Sequence, residues 1–194
     1  SWYSTESFSL ITSFISDDYF GMMDSNEGTM ANNDKLDIAV GRILVENTQR
    51  AKEMVDKVES YYMPETYGSW RNNFLLISDD IDKESDRIIQ STTEIIAEDV
   101  KAAKPFLNVQ KIHADSYVQE TSSGGARYTL VNKAIFDALE VGAIVVNYFG
   151  HGGEDGLAGE RIFDKINAQE LNNPTKLNCF VTVTCEYTKF DKIF

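Results

Sequence analysis

The sequence predicts an α/β domain with a mostly parallel sheet. Short apolar runs alternate along its 194 residues with longer segments whose apolar residues recur at helical spacing. Acidic or reactive residues follow the ends of several of these runs. Because ligands of such sheets collect at the carboxyl ends of the strands, the residues just after each run are the candidates for function.

Two strands and two helices are predicted in the first half of the chain. The strands are residues 37–43 (DIAVGRI) and 74–78 (FLLIS). Thr48 and Ser85 can each open a helix, and a proline follows each helical segment. The helical period places one stripe on the first helix: Ala51, Met54, Val55, Val58 and Tyr62. In the second helix it predicts these inward residues: Ile88, Ile89, Thr92, Ile95, Ile96 and Val100.

The second half continues the same alternation. Three more apolar runs predict strands, at 108–113, 143–149 and 179–184. A turn is predicted at 122–125 (SSGG), and a third helix stops near Gly142. Asn167 and Glu170 resemble a capping box that opens a short helix. The third helix carries four apolar residues: Val131, Ile135, Ala138 and Leu139.

The chain is strongly acidic, with 31 Asp and Glu against 18 Lys and Arg and a formal charge of −13. This balance disfavours nucleic acid and anionic membrane surfaces as partners. It fits a cationic substrate or a divalent cation better, although acidic surfaces also serve solubility. No apolar run reaches the about 18–20 residues of a membrane helix. The sequence opens at Ser1 without a methionine or a signal peptide, and we expect it to be a piece of a longer protein.

The two cysteines, Cys179 and Cys185, are not expected to pair with each other. Six steps along a strand separate their Cα atoms by roughly 20 Å, whereas a disulfide needs about 5.5 Å. Their spacing is not that of a zinc site either. Cys179 is expected in the core, and Cys185 leaves its strand towards a cleft.

A glycine-rich loop follows strand 143–149 and reads NYFGHGGEDG from Asn147 to Gly156. Its glycines leave backbone N–H groups free beside His151, which suits an acyl-transfer site that stabilises an oxyanion. A structural histidine is the alternative. Phosphate binding is disfavoured because the third glycine of G-x-G-x-x-G is missing. His151-x-x-Glu154 is not the H-E-x-x-H motif, so a zincin is disfavoured as well.

Cys185 follows a predicted strand 34 residues after His151. If the two strands are parallel, the thiol and the imidazole can meet at one edge of the sheet. An imidazolium there would stabilise a thiolate nucleophile. A packing cysteine is the alternative.

The glycine-rich loop with His151 and the strand that leads to Cys185 resemble the two catalytic blocks of the gingipain-like cysteine peptidases, the C25 family. The resemblance rests on residues 147–156 and on 180–185 (FVTVTC), with softer support from 16–21 (SDDYFG) and 39–43 (AVGRI). The longer stretches 151–162 and 185–191 are similar to the PorU-type sortases of the type IX secretion system. The resemblance covers about residues 17–191.

The resemblance implies a role for each site residue. His151 would be the general base and Cys185 the nucleophile. Backbone N–H groups near Gly152 and Cys185 would form the oxyanion hole. Asp80 would be the acid that supports the histidine, with Asp79 as the alternate. Substrate binding would fall to two acids: Asp86, within the segment 84–86, and Glu154.

The same resemblance implies a caspase-like α/β/α sandwich, within a larger catalytic domain. Residues 1–65 would belong to an N-terminal gingipain-like subdomain and 66–194 to the caspase-like catalytic subdomain. No cofactor is required. The oxygen ligands of 24–28 (DSNEG) and 32–34 (NND) could hold Ca²⁺, but Gly28 breaks the EF-hand pattern and a solvated turn is the alternative.

The implied function is a sortase at the cell envelope, at the outer-membrane surface or in the periplasm. It would remove C-terminal sorting domains from secreted cargo and pass the new carboxyl end to a lipopolysaccharide amine, in contact with other secretion components. An inactive scaffold or cargo-binding module is the alternative. A nucleotide-binding α/β domain is a weaker third reading, because phosphate motifs are absent.

Overall fold

The computed structural model describes residues 16–28 and 34–187. The chain divides into two compact units, Ser1–Met54 with Lys189–Phe194, and Val55–Thr188. The predicted division between residues 65 and 66 stays a prediction. No helix within the described ranges is long and apolar enough to cross a bilayer.

In the first unit an ion pair links the segments 16–21 and 39–43, which both resemble a block of the C25 family. A 3₁₀ turn spans Asp18–Gly21, and the carboxylate of Asp17 forms an ion pair with the guanidinium of Arg42. The strand predicted at 37–43 is wrong: the described residues contain no strand there. Its apolar side chains, such as Ile38 and Ile43, are about half exposed. Alternating hydrophobicity makes a strand only where another strand supplies hydrogen bonds.

Helix α1 spans Thr48–Ser60. Its N-cap is Asn47 rather than Thr48, because Asn47 Oδ1 accepts the N–H of Arg50 at 2.9 Å. The apolar stripe of α1 is not covered: the helix has no buried residue, and Val55 and Val58 are about half exposed. A helical period identifies an apolar face but not what covers it.

The second unit is built on a four-stranded parallel sheet in the order β2-β1-β5-β9. Strand β1 is Asn73–Ser78, β2 is Asn108–His113, β5 is Val145–Phe149 and β9 is Cys179–Val183. Each lies within two residues of its predicted bounds. The predicted α/β class and mostly parallel sheet are confirmed, and parallel order brings the carboxyl ends of β1, β5 and β9 to one edge.

Helix α3, Thr129–Val141, covers one face of the sheet. Three of the apolar residues that the sequence places on this helix, Val131, Ile135 and Leu139, are buried, and Gly142 ends it with φ 98°, a conformation that favours glycine. The core on this face also takes residues from β1 and β5: Leu75, Ile77, Val146 and Tyr148.

Helix α2, Arg87–Ala103, packs against β1 and β2. Leu76 is buried, and strand alternation points it away from the α3 face. The buried face of α2 is Ile89, Thr93 and Ala97, so the predicted inward positions of Ile88 and Ile95 are wrong. Ser85 does not open this helix, because it lies in a 3₁₀ turn at Glu84–Asp86.

The remaining elements are short. Strands β3 (Glu120–Ser122) and β4 (Gly125–Arg127) form a hairpin around the predicted turn. Strands β6 (Gly152–Gly153), β7 (Gly156–Leu157) and β8 (Phe163–Asp164) form a small antiparallel sheet. Helix α4 is Lys165–Glu170 and is capped by Asp164 with Asn167 at its third position. The capping box therefore lies three residues before the predicted one.

Candidate active site

Parallel pairing of β5 and β9 brings the histidine loop and the cysteine to the same edge. Phe149 pairs with Val183 at the end of the ladder, and the N–H of Gly150 donates to the carbonyl of Val183 at 3.3 Å. His151 and Cys185 each follow the last paired residue of their strand by two positions. Both side chains are exposed.

Gly152 lies directly against the cysteine segment. A Cβ built on Gly152 would overlap Thr184 Oγ1 and would stand 3.3 Å from the carbonyl oxygen of Cys185. Glycine is therefore the residue that lets the two loops approach. This contact puts the backbone of Gly152 beside that of Cys185, where the sequence predicts an oxyanion hole.

The backbone of His151 is held from both sides by buried side chains. Its N–H donates to Oδ2 of Asp79 at 2.8 Å, and its carbonyl accepts the hydroxyl of Tyr148 at 2.5 Å. Asp79 and Tyr148 are almost fully buried. These two hydrogen bonds fix the loop that carries the imidazole while leaving the ring itself 58% exposed.

The acid at the imidazole is Asp86. Its Oδ1 lies 3.5 Å from Nε2 of His151, and its side chain is only 8% exposed. The carboxylate also accepts the N–H of Lys83 at 2.9 Å and the hydroxyl of Ser85 at 3.2 Å. Burial acts to raise the pKa of Asp86, but these hydrogen bonds and His151 outweigh it and lower that pKa. Asp86 therefore stays ionised beside the ring.

Asp80 was expected to support the histidine, and the structure places it elsewhere. Its Oδ2 accepts the hydroxyl of Tyr128 at 3.0 Å. Asp79, the alternate, contacts the histidine backbone but forms no hydrogen bond with the ring. The acid in contact with the imidazole is thus the one that the resemblance assigned to substrate. Glu154 lies at the exposed turn between β6 and β7.

The carboxyl group of Asp79 has an unusually high pKa. Its carboxyl group lies beside that of Asp80 in a buried place, and burial is the main cause that raises its pKa to about 7. The N–H of His151 opposes this shift, and the charge of Asp80 adds to it. Burial also raises the pKa of Tyr148, with the charge of Asp79 as the next cause, so the tyrosine remains a hydrogen-bond donor.

The two thiols are free and both are exposed. The expectation that Cys179 lies in the core is wrong, because the odd-numbered residues of β9 face outward. Cys185 precedes Glu186, which has φ 50°. A left-handed conformation is costly for a residue other than glycine and tends to occur at functional sites.

The model of peptidase family C25 matches residues 3–193. The chain belongs to peptidase family C25. Its family is one of cysteine peptidases, as the sequence resemblance implied. A search of curated proteins finds no match for this C25 chain.

Among solved structures, the C25 chain matches the crystal structure of the Arg-specific cysteine proteinase gingipain R. The TM-score is 0.63 at 20% sequence identity, over 86% of this chain. The match covers 35% of the gingipain R chain, so the present chain spans about a third of that structure's length. At this identity the likeness establishes the fold, and it confirms the caspase-like α/β/α class.

The predicted calcium loop is only partly within the described residues. Asp24 and Glu27 lie there with Asp37, and one carboxylate oxygen of each lies within 4.8 Å of the others. Asn32 and Asn33 lie outside the described residues. The carboxylates of Asp37 and Glu27 already accept the N–H groups of Met23 and Asp24. Calcium at this loop stays a prediction.

Sequence reasoning missed the tyrosines of the site. Tyr148 could have been found from the alternation of β5, where Val146 and Tyr148 share the buried face and the tyrosine precedes His151 by three residues. Nothing in the sequence pairs Tyr128 with Asp80, because 48 residues separate them.

Proposed function

We propose that the chain carries the catalytic centre of a cysteine endopeptidase, with Cys185 as nucleophile and His151 as general base. The observation that carries this proposal is the parallel pairing of β5 and β9, after which the histidine loop and the cysteine segment follow at the same edge, with Gly152 against Thr184 and Cys185. Membership of a cysteine peptidase family supports the same reading.

The reaction follows from these roles. The sulfur of Cys185 attacks the scissile carbonyl carbon, and its proton passes to His151. The tetrahedral oxyanion is stabilised by backbone N–H groups beside Gly152 and Cys185. Collapse breaks the C–N bond, and the imidazolium gives its proton to the departing amine. Water or an acceptor amine then attacks the thioester and releases Cys185.

Asp86 orients the imidazole in this scheme. Its ionised carboxylate faces Nε2, so Nδ1 is the ring nitrogen left for the thiol. Gingipain R is Arg-specific by its description. Glu154 is our candidate for binding a basic substrate side chain, and Asp86 takes that role in the alternative in which it does not orient the ring. The excess of acidic residues supports a preference for cationic substrates.

The finer proposal is a sortase of the PorU type at the cell envelope. It would cleave C-terminal sorting domains and transfer the new carboxyl end to a lipopolysaccharide amine, beside other components of type IX secretion. The similarity of residues 151–162 and 185–191 supports it. Transfer requires that the acceptor amine be positioned better than water at the thioester.

The test is cleavage of fluorogenic peptides with basic and with neutral residues before the scissile bond. We expect Cys185→Ala to lower kcat/KM by at least about 10³-fold. Cys179→Ala is the matched control, because its thiol is also exposed but lies at the other end of β9. Mass spectrometry of the products with an added amine separates transfer from hydrolysis. Equal activity of the two alanine variants would overturn the assignment, and no cleavage by the wild-type chain would favour the scaffold alternative.

A further inference from the structure

The hydroxyl group of Thr184 lies where the histidine loop meets the cysteine segment. Thr184 follows the last residue of β9 and precedes Cys185. A Cβ built on Gly152 would stand only 2.4 Å from Oγ1 of Thr184, 3.3 Å from its Cγ2 and 3.3 Å from the carbonyl oxygen of Cys185. The threonine side chain therefore packs directly on the main chain of Gly152, and the two segments meet through it.

This hydroxyl oxygen is buried and unpaired. Within residues 16–28 and 34–187, no group forms a hydrogen bond with Oγ1 of Thr184. A buried hydroxyl without a partner destabilises the folded chain, because it has given up its hydrogen bonds to water. A valine has nearly the same shape and would fill this space without that loss. Packing by itself therefore does not explain why a threonine precedes Cys185.

The polar groups closest to this hydroxyl belong to the main chain of Gly152. A carbon–carbon single bond is about 1.5 Å long, so Oγ1 of Thr184 lies within about 4 Å of the Cα of Gly152. The main-chain N–H and C=O groups of a residue flank its Cα, and a glycine has no side chain to shield them. A small change in the separation of Thr184 and Gly152 therefore completes a hydrogen bond.

The cysteine segment is the side of this contact that can move. Gly152 is held, because it pairs with Leu157 in the small sheet and because both main-chain groups of His151 are hydrogen-bonded. Thr184 and Cys185 lie beyond the last pair of β9, and Cys185 is exposed. When the sulfur of Cys185 approaches a substrate carbonyl, Thr184 shifts with it against the fixed main chain of Gly152.

We propose that Thr184 is a positioning residue for acyl transfer, whose hydroxyl forms a hydrogen bond with the main chain of Gly152 only when Cys185 engages a substrate. This role rests on the proposed function of Cys185 and His151. The buried hydroxyl does not contact the substrate itself. It holds Gly152 and Cys185 at the separation that their N–H groups need to stabilise the oxyanion. A hydrogen bond made only in the reacting complex raises kcat and leaves KM nearly unchanged.

The experiment measures Thr184→Val and Thr184→Ser in the fluorogenic peptide assay and in urea unfolding. Thr184→Val keeps the shape and removes the hydroxyl, so kcat is expected to fall about tenfold while KM changes by less than about twofold. Its urea midpoint should equal or exceed that of the wild type, because an unpaired buried group is removed. Thr184→Ser keeps the hydroxyl and should restore kcat to within about threefold of wild type. Thr182→Val is the matched control, since Thr182 lies two positions earlier and is also half-buried.

Cys185→Ala in the same assay separates the role of Thr184 from the proposed function on which it rests. If wild type and Cys185→Ala cleave equally, both fail. If cleavage depends on Cys185 and Thr184→Val keeps the wild-type kcat, only the role of Thr184 is overturned. A urea midpoint of Thr184→Val below that of wild type also overturns it, because the hydroxyl then has a partner in the resting chain. So does a loss of kcat that Thr184→Ser does not restore or that Thr182→Val shares, because packing is then the cause.

Discussion

Nε2 of His151 lies 3.5 Å from Oδ1 of Asp86, a carboxylate that is otherwise buried in its 3₁₀ turn. The turn fixes the acid through the N–H of Lys83 and the hydroxyl of Ser85. The imidazole therefore has a rigid anionic neighbour on one side. The contact allows two roles for Asp86, orientation of the ring or recognition of a basic substrate.

Asp86→Asn separates these two roles. If Asp86 orients the ring, kcat falls roughly 10–100-fold for basic and neutral peptides alike, because a misplaced base is costly. Alkylation of Cys185 by iodoacetamide slows as well. If Asp86 only recognises substrate, KM rises for basic peptides and alkylation is unchanged. Steady-state kinetics on both peptides, with alkylation rates, decide between them.

Asp80→Asn is the companion variant. Asp80 contacts Tyr128 rather than the imidazole, so its loss is expected to change kcat less than Asp86→Asn does. A larger fall in kcat for Asp80→Asn than for Asp86→Asn would contradict the geometric assignment and favour the one made from sequence position.

Gly152 and Gly153 offer a matched pair. A Cβ at Gly152 overlaps Thr184 Oγ1, whereas one at Gly153 meets nothing within 4 Å. Gly152→Ala must push the histidine loop away from the cysteine segment, and we expect at least a tenfold loss of kcat/KM. Gly153→Ala should keep wild-type activity. Equal loss in both variants would mean that the Gly152 contact is not what matters.

The two cysteines provide an internal comparison of reactivity. Both are exposed, so accessibility alone predicts similar alkylation rates. If His151 favours the thiolate of Cys185, this residue reacts with iodoacetamide faster than Cys179 at pH 6.5. His151→Ala should remove the difference, as measured by peptide mass mapping. Equal rates in the wild-type chain would argue against a working pair.

Asp79 makes stability depend on pH. Its folded-state pKa is about 7 against an ordinary value of 3.8, so the folded chain keeps a proton that the unfolded chain loses near pH 4. The free energy of unfolding should therefore fall as pH rises from about 4 to 7, by at most about 1.4 kcal/mol per pH unit, and level off above. Urea unfolding at pH 5 and pH 7 in a chelator measures the slope.

Asp79→Asn should flatten that slope, because the amide does not titrate. Asp155→Asn, an exposed control, should leave it unchanged. The opposite sign applies to Asp86, whose lowered pKa costs stability only on acidification below about pH 4. If wild type and Asp79→Asn show the same slope between pH 5 and 7, the titration of Asp79 is not the cause of the pH dependence.

The helix faces can be tested by truncation. Ile135 on α3 is fully buried, whereas Ile88 on α2 is 61% exposed. Ile135→Ala is expected to lower the free energy of unfolding by about 2–5 kcal/mol through lost burial and a cavity. Ile88→Ala should cost less than about 1 kcal/mol. Denaturant melts measure both, and similar losses would place α2 differently on the sheet.

Local sequence patterns predicted the elements and their class. Apolar runs predicted β1, β2, β5 and β9 closely, and the helical period gave the buried face of α3. The glycine-rich histidine loop and the later cysteine were recognisable because their chemistry lies in contiguous residues. The sequence did not show which residues of α1 and α2 are buried, because periodicity does not say which element packs on an apolar face.

Tertiary structure alone decided which acids meet which partners. Asp79, Asp80 and Asp86 lie within eight positions of one another, yet they contact the backbone of His151, the hydroxyl of Tyr128 and the imidazole. A 3₁₀ turn and the sheet register determine these contacts, and neither can be predicted from the spacing of residues in the sequence. The sequence by itself determined the chemistry available at the sheet edge, whereas long-range packing determined its geometry, because contacts across 48 to 72 residues depend on the whole fold.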